Sequence, residues 1–570
     1  MSAPAQHISA DGAPQTFHAW TQQFFSDVYF HFSPSTGTYA GLHQYDTQLE
    51  DYSAAGIQRQ IAALHAWDKK LATLDPSALD STDAADYAIL ANYIRGQLLE
   101  LEDVRGWQKN PDNYSSGPTG SIFTLMSRDY APVNTRLRAA VARERLIPQV
   151  LLEARKNLSN PPRIFTEIAL EQIDGNISFY QNDVPSAFAA ATDAQTKADF
   201  AKSNAAVIAA LADYKKWLTD VLLPQSNGDF RLGADVFRRK LADDEMVDIP
   251  LDHLLDIAYA DLHKNQAAFN SLAKEIDPTK TPQQMLAELA AMHPAPDHLL
   301  AAFAAQFDGE ISFIRSHHII TIPSEVRPTL EETPPFMRAT TQASMDAPGP
   351  FEKNSKTAYF NVTLPEKDWS QERISEHMAA FNIGTIVSTS VHEAYPGHYI
   401  QFLYTPSFPS DIRRLIGAST NIEGWAHYCE QMMLDQGYGQ PGAGAKDARE
   451  AKLIRLGQLQ DALLRDARFV VSIRMHTQGM SIPDAEKFFV AEGYQSPAIA
   501  SLEVKRGTGD PTYLYYTLGK LQILKLRADW QKKMGPAYSI GAFHDAFMRQ
   551  GFAPIKIVRK SMLGDDSPVL

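Results

Sequence analysis

The chain has 570 residues, 44% of them apolar, 21% charged and 10% aromatic, an ordinary globular balance able to bury a large core. Its 67 acidic against 53 basic side chains give a formal net charge of −14, which repels phosphate backbones and anionic lipid and so argues against nucleic-acid and membrane-surface roles. No stretch nears the run of about 18 apolar residues that a membrane span needs, and the single cysteine, Cys429, excludes an intramolecular disulfide framework and a cysteine-rich metal knuckle.

Residues 1–15 begin Met1-Ser-Ala-Pro-Ala-Gln and read as a flexible tail with neither the basic nor the apolar region of a signal peptide. As it stands, such a start suits the cytoplasm; it equally suits a periplasmic or secreted protein whose signal has been removed. Helix formers with apolar residues three and four apart predict helices over Arg136–Asn157, Ala187–Leu223, Leu251–Lys274 and Pro282–Phe307, then Ala448–Gly479 and Tyr513–Gly535. Turn-rich runs such as Asn110-Pro-Asp-Asn-Tyr-Ser-Ser-Gly-Pro and Arg506-Gly-Thr-Gly-Asp-Pro mark the loops. Between Ile319 and Pro365 seven prolines accompany β-favouring runs, Ile319-Ile-Thr-Ile-Pro and Thr357-Ala-Tyr-Phe-Asn-Val-Thr, which predict a small β element inserted in a helical body. The expected organisation is a helical half over 16–307 and a second half over 308–570 that holds this small sheet and the motifs below.

Residues 391–401 read Val-His-Glu-Ala-Tyr-Pro-Gly-His-Tyr-Ile-Gln. A histidine followed at once by glutamate, with a second histidine close by, is the pattern of a helical zinc-peptidase site: two imidazoles hold the metal and the adjacent carboxylate takes a proton from water. Ligands four apart lie about 40° out of register on a helix. His392 and His398 are six apart, roughly 120° on a regular helix. Pro396-Gly397 lies between them, and an internal proline removes a helix hydrogen bond. The expectation is that this pair bulges the helix and swings His398 back towards His392.

A hydrolytic zinc site takes a third protein ligand and leaves one position open. Glu423 lies in Asn421-Ile-Glu-Gly-Trp-Ala-His-Tyr-Cys-Glu, beside the apolar stripe of a helix expected to end near Gly437. It is the natural third ligand, with Asp411 the one intervening alternative, in a Pro/Ser-rich loop. Glu393 could be a salt-bridged surface carboxylate, but its place next to the first ligand favours the role of general base. His427, four residues after Glu423, either orients that carboxylate or is a packed core histidine.

The motifs HEAYPGHY and EGWAHY resemble those of the bacterial family termed domain of unknown function 885, itself similar to the glutamate-type zinc metallopeptidases. Weaker stretches of the same resemblance are His317-His-Ile-Ile-Thr-Ile-Pro, Pro348-Gly-Pro-Phe-Glu, Met475-His-Thr-Gln-Gly-Met and Asp510-Pro-Thr-Tyr-Leu. The resemblance implies a mainly α, metallopeptidase-like body with a deep cleft and zinc at its floor. The wider histidine spacing is the departure from standard zinc peptidases. Among tyrosines 513, 515 and 516, the resemblance favours Tyr516 for stabilising an oxyanion, and His476 is a second candidate for that role. Tyrosines are equally ordinary core material, and His476, His317 and His318 have structural readings as well. Arg506 is either a holder of a substrate carboxylate or a solvated loop arginine.

The expected function is zinc-dependent hydrolysis of peptide bonds in short peptides, with strand Thr357–Thr363 available to pair with substrate backbone. The alternatives are a zinc amidase acting on a non-peptide amide or modified amino acid, and a binding protein that keeps the metal without turnover. Intact Glu393 argues against the last.

Overall fold

Segments rich in Ala, Leu, Lys and Glu form helices, and the prolines decide where those helices stop. The computed structural model of the protein describes residues 12–338, 341–367 and 369–570. The fold is mainly α. Of the expected N-terminal tail, residues 1–11 lie outside the described residues, and a helix already runs over Ala13–Phe24 with Pro14 in its first turn. The helix expected over Arg136–Asn157 is two, Val133–Glu144 and Ile147–Asn157, with Pro148 opening the second. That expected over Ala187–Leu223 starts at Ala194, where the Asp193 side chain accepts the Thr196 N–H as a cap. The one expected over Pro282–Phe307 stops at Ala290, before Pro294 and Pro296.

The chain divides into two compact units, Met1–Phe230 with Pro334–Thr340 and Pro348–Thr357, and Arg231–Thr333 with Thr341–Ala347 and Ala358–Leu570. Residue 308 lies in the second unit, inside the helix Phe307–Ser316. The first unit is built on a core that includes Ile122, Leu137, Leu151, Ile173, Leu211 and Tyr214.

The second unit carries the chemistry-bearing motifs. Its relevant helices are α1 (Leu251–Ile276), α2 (Ile383–Glu393), α3 (His398–Leu403), α4 (Ser419–Asp435), α5 (Ala448–Thr477), α6 (Pro497–Gly509) and α7 (Tyr515–Met534). Leu254, Leu262 and Phe269 of α1 share a core with Leu456, Leu463 and Phe469 of α5. Burying each such side chain stabilises the unit by ~1.5–3 kcal/mol. Two helix pairs touch backbone to backbone: a methyl group on Gly424 of α4 would stand 2.6 Å from Gly519 Cα of α7, and one on Gly384 of α2 2.8 Å from Gly457 Cα of α5.

The expected β element is a three-stranded sheet of β1 (Thr329–Glu332), β2 (Ala343–Asp346) and β3 (Tyr359–Val362), in the order β1-β3-β2. β3 runs parallel to β1, with Tyr359 opposite Thr329, and antiparallel to β2, with Val362 opposite Ala343. Two expectations are corrected here. Ile319–Pro323 forms no strand; its polar groups go instead to the Asp545 carboxylate, which accepts the Thr321 N–H at 3.0 Å, and to His544, which bonds the Ile319 carbonyl at 2.7 Å. Nor can the Thr357–Thr363 strand add a substrate backbone, because β3 is central and both its edges are already paired. Among the described residues no helix is long and apolar enough to cross a membrane.

Candidate metal centre

The first two candidate ligands are held by a helix that breaks. α2 ends at Glu393 and α3 begins at His398, so the Pro-Gly pair interrupts the helix where a bulge was expected. The Tyr395–Pro396 peptide is cis. Gly397 turns back so closely that its N–H donates to the Val391 carbonyl at 3.0 Å, and a Cβ there would lie 1.8 Å from the His392 carbonyl oxygen. Only glycine fits that approach. The result is the convergence that the spacing required: the two imidazole rings meet edge to face with centroids 4.8 Å apart.

α4 supplies the third residue and locks the turn. Glu423 Oε2 lies 3.3 Å from Nε2 of both His392 and His398. The next two residues each have a separate task. Gly424 allows α4 to lie against α7 at Gly519, and the buried Trp425 indole donates to the Pro396 carbonyl at 2.9 Å, fastening the broken turn to α4. The start of α4 is held by Glu245, a buried carboxylate that accepts the N–H groups of Ser419 and Thr420 at 3.0 and 2.8 Å. Asp411 starts a short helix of its own and pairs with Arg414 at 3.0 Å.

One ligand atom each from His392, His398 and Glu423 lies within 4.8 Å of the others. Two imidazole nitrogens and one carboxylate oxygen form a donor set that suits zinc. His392 Nδ1 bonds Glu430 Oε1 at 2.7 Å, which fixes the tautomer and leaves Nε2 facing Glu423 with a lone pair for a cation. Without a cation, burial opposes charge on the His392 ring, yet the hydrogen bonds to Glu423 and Glu430 outweigh it and hold its pKa at about 9, so a cation bound at Nε2 takes the place of a proton there. The same carboxylates favour a divalent cation. Burial pushes the Glu393 carboxyl up, against the pull of the two histidines, and its Oε2 is a buried acceptor with no hydrogen-bond partner among the described residues. A buried acceptor of this kind normally has a water or ion against it.

Glu430 was not among the residues singled out from the sequence. It is fully buried, 2.7 Å from His392, 3.2 Å from His427 Nδ1 and 3.2 Å from Arg465. Although burial opposes it, Arg465 and His427 keep its carboxyl well below the usual range. Its sequence signal is its place seven residues after Glu423, two turns on along the same helix face. His427 makes no hydrogen bond to Glu423 among the described residues; its Nδ1 faces Glu430, one step further from the candidate ligands.

The remaining candidates separate. Tyr516 stacks on His392 with ring centroids 6.3 Å apart, and its hydroxyl accepts from Arg506 Nη2 at 2.9 Å. Burial raises the Tyr516 pKa against the pull of Arg506. Arg506 is no loop residue: it sits on α6, bonded to tyrosine hydroxyls. Tyr515 donates to Asp510 at 2.7 Å, and Tyr513 is buried. His476 bonds the Gly507 carbonyl at 2.7 Å and stacks on Phe237, contacts of a packed histidine. His317 stacks on Phe313 with ring centroids 3.9 Å apart.

Comparison with known proteins adds relatives whose own activities are undefined. No curated protein matches the sequence. A solved structure described as a "putative lipoprotein of unknown function" from Shewanella oneidensis is 26% identical, with a TM-score of 0.77 over 96% of this chain and 99% of that one. A second, the "putative lipoprotein" from Colwellia psychrerythraea, is 18% identical, with a TM-score of 0.80 over 98% of this chain and 99% of that one, and shares the fold. The model of one bacterial family matches residues 34–562, a span that includes both histidines, Glu393 and Glu423. The chain therefore belongs to the family described as bacterial protein of unknown function (DUF885).

Proposed function

We propose that this protein is a zinc-dependent peptidase whose metal is held by His392, His398 and Glu423. The observation that carries the reading is the approach of one Glu423 oxygen to within 3.3 Å of both imidazole Nε2 atoms, next to Glu393, whose buried Oε2 has no hydrogen-bond partner among the described residues. The HEAYPGHY and EGWAHY motifs, which resemble those of a family similar to the glutamate-type zinc peptidases, support it. Zinc, when bound, lowers the pKa of water towards about 7 and polarises the carbonyl under attack. Glu393 accepts the proton of the attacking water and returns it to the leaving amine, a role for which it has a buried oxygen without a competing partner among the described residues. Tyr516, beside His392, offers its hydroxyl to the oxygen on which charge develops. His476 has no part in this scheme, since its bond to Gly507 accounts for its position. The description of both structural relatives as lipoproteins supports an extracytoplasmic setting.

The test is a digest of a mixed peptide library by the zinc-loaded protein, read by mass spectrometry. New peptide termini are expected with wild type and are expected to be almost absent with Glu393→Gln. A zinc-loaded wild-type protein that cuts nothing in the library would remove the peptidase reading.

A further inference from the structure

Three arginines lie around the tyrosines next to the candidate metal centre, and two of them are committed. Arg468 is clamped by Glu503 through both Nε and Nη2, at 2.5 and 2.7 Å. Arg465 faces Glu430 at 3.2 Å and Asp461 at 3.4 Å. Arg506 differs. All its hydrogen bonds among the described residues leave from Nη2, to Tyr516 at 2.9 Å, Asp510 at 3.3 Å and Tyr515 at 3.4 Å. Asp510 is itself shared, because it also accepts the Tyr515 hydroxyl. The side chain keeps 26% of its surface exposed, and neither Nε nor Nη1 has a hydrogen-bond partner among the described residues. A guanidinium fixed through one nitrogen, with its Nε and Nη1 donors unused, matches a carboxylate in a paired, two-bond contact.

Its distance from the metal centre sets what it can read. The Arg506 guanidinium lies 5.5 Å from the Tyr516 ring centroid, which is 6.3 Å from that of His392. The guanidinium is thus at most about 12 Å from the His392 ring, a span of roughly three extended residues or fewer. We infer that Arg506, steadied by Tyr515 and Tyr516, binds the free C-terminal carboxylate of the substrate, so that the enzyme releases short C-terminal fragments of one to three residues. This assignment rests on the peptidase reading and names its substrate class.

Paired peptides of one sequence, ending in a free carboxylate or in a carboxamide, test it. Each is offered to zinc-loaded wild type, Arg506→Gln and Arg506→Lys, and its binding to the Glu393→Gln protein is followed by calorimetry. The expected result is at least a tenfold preference of wild type for the acid, expressed mainly in KM, with one to three residues released. Both Arg506 variants should lose most of that preference while their zinc content stays unchanged. Equal handling of acid and amide by wild type overturns the assignment and leaves the peptidase reading standing. If neither peptide is cut, the peptidase reading fails and binding decides. Acid-selective binding that disappears when Arg506→Gln is added to Glu393→Gln sustains the assignment, and indifferent binding overturns it. Should Arg506→Gln lose its zinc or its fold, Arg506→Lys decides alone, and an undiminished acid preference there overturns the assignment.

Discussion

The carboxylates around the two histidines differ in their partners, and the partners divide the work. Glu423 touches both imidazoles, Glu430 is held between His392, His427 and Arg465, and Glu393 keeps a buried oxygen that has no hydrogen-bond partner among the described residues. Glu393→Gln should therefore bind zinc like wild type while turnover falls by roughly two to four orders of magnitude; near-normal turnover with zinc bound would rule out its role as base. Glu430→Gln should weaken zinc about 10–100-fold, the usual effect of losing the group that orients a ligand histidine. His427→Ala should cost less than that, since it contacts Glu430 and not a ligand. Competition against a chromogenic chelator measures both, and a larger loss for His427→Ala would contradict this ordering. At this scale the sequence was informative wherever chemistry depends on near neighbours. His392, Glu393 and His398 announce themselves within seven residues, and Glu423 follows from the need for a third ligand. Glu430 did not emerge because its partner, His392, is 38 residues away in the chain.

Between elements, the centre depends on two close contacts that no ligand makes. α4 meets α7 at Gly424 and Gly519, next to Glu423, and Trp425 ties α4 to the broken turn between α2 and α3. Gly519→Ala should destabilise the fold by about 1–3 kcal/mol through overpacking, and should lower zinc affinity by moving α4. Unchanged thermal unfolding together with unchanged zinc affinity would mean that the helices part without cost. α1, α5 and α7 were readable almost end to end, α1 from an apolar stripe that repeats every three or four residues, α5 and α7 from long runs of helix-forming residues, since both are buried on several faces. The interruptions were less readable. Pro148, Pro294 and Pro296 mark breaks that periodicity alone runs through, and the position of β3 between two partners depends on pairing that no local pattern encodes.

On the scale of the whole molecule, buried carboxyl groups tie stability to pH. Glu310 is completely buried on the helix Phe307–Ser316, with one oxygen accepting from Ser390 at 3.0 Å, and burial lifts its pKa to about 8. Because the folded state holds this proton more tightly than the unfolded one, its contribution is fully present below the unfolded pKa, near 4.5. That contribution is lost as pH rises through about 8. Glu310→Gln should thus gain stability relative to wild type between pH 5 and pH 9, read as the difference in thermal midpoints; a difference independent of pH would show that Glu310 does not carry this proton. The division of the chain at Phe230 was not legible, since helical composition is similar on both sides of it. The proposed hydrolysis requires the zinc. Its most direct test is to titrate metal-free protein with zinc while following cleavage of one peptide that the zinc-loaded protein cuts. No cleavage is expected without metal, and the rate should rise linearly and level off at one zinc per chain. Full-rate cleavage by the metal-free protein, or a rate indifferent to added zinc, would contradict that requirement.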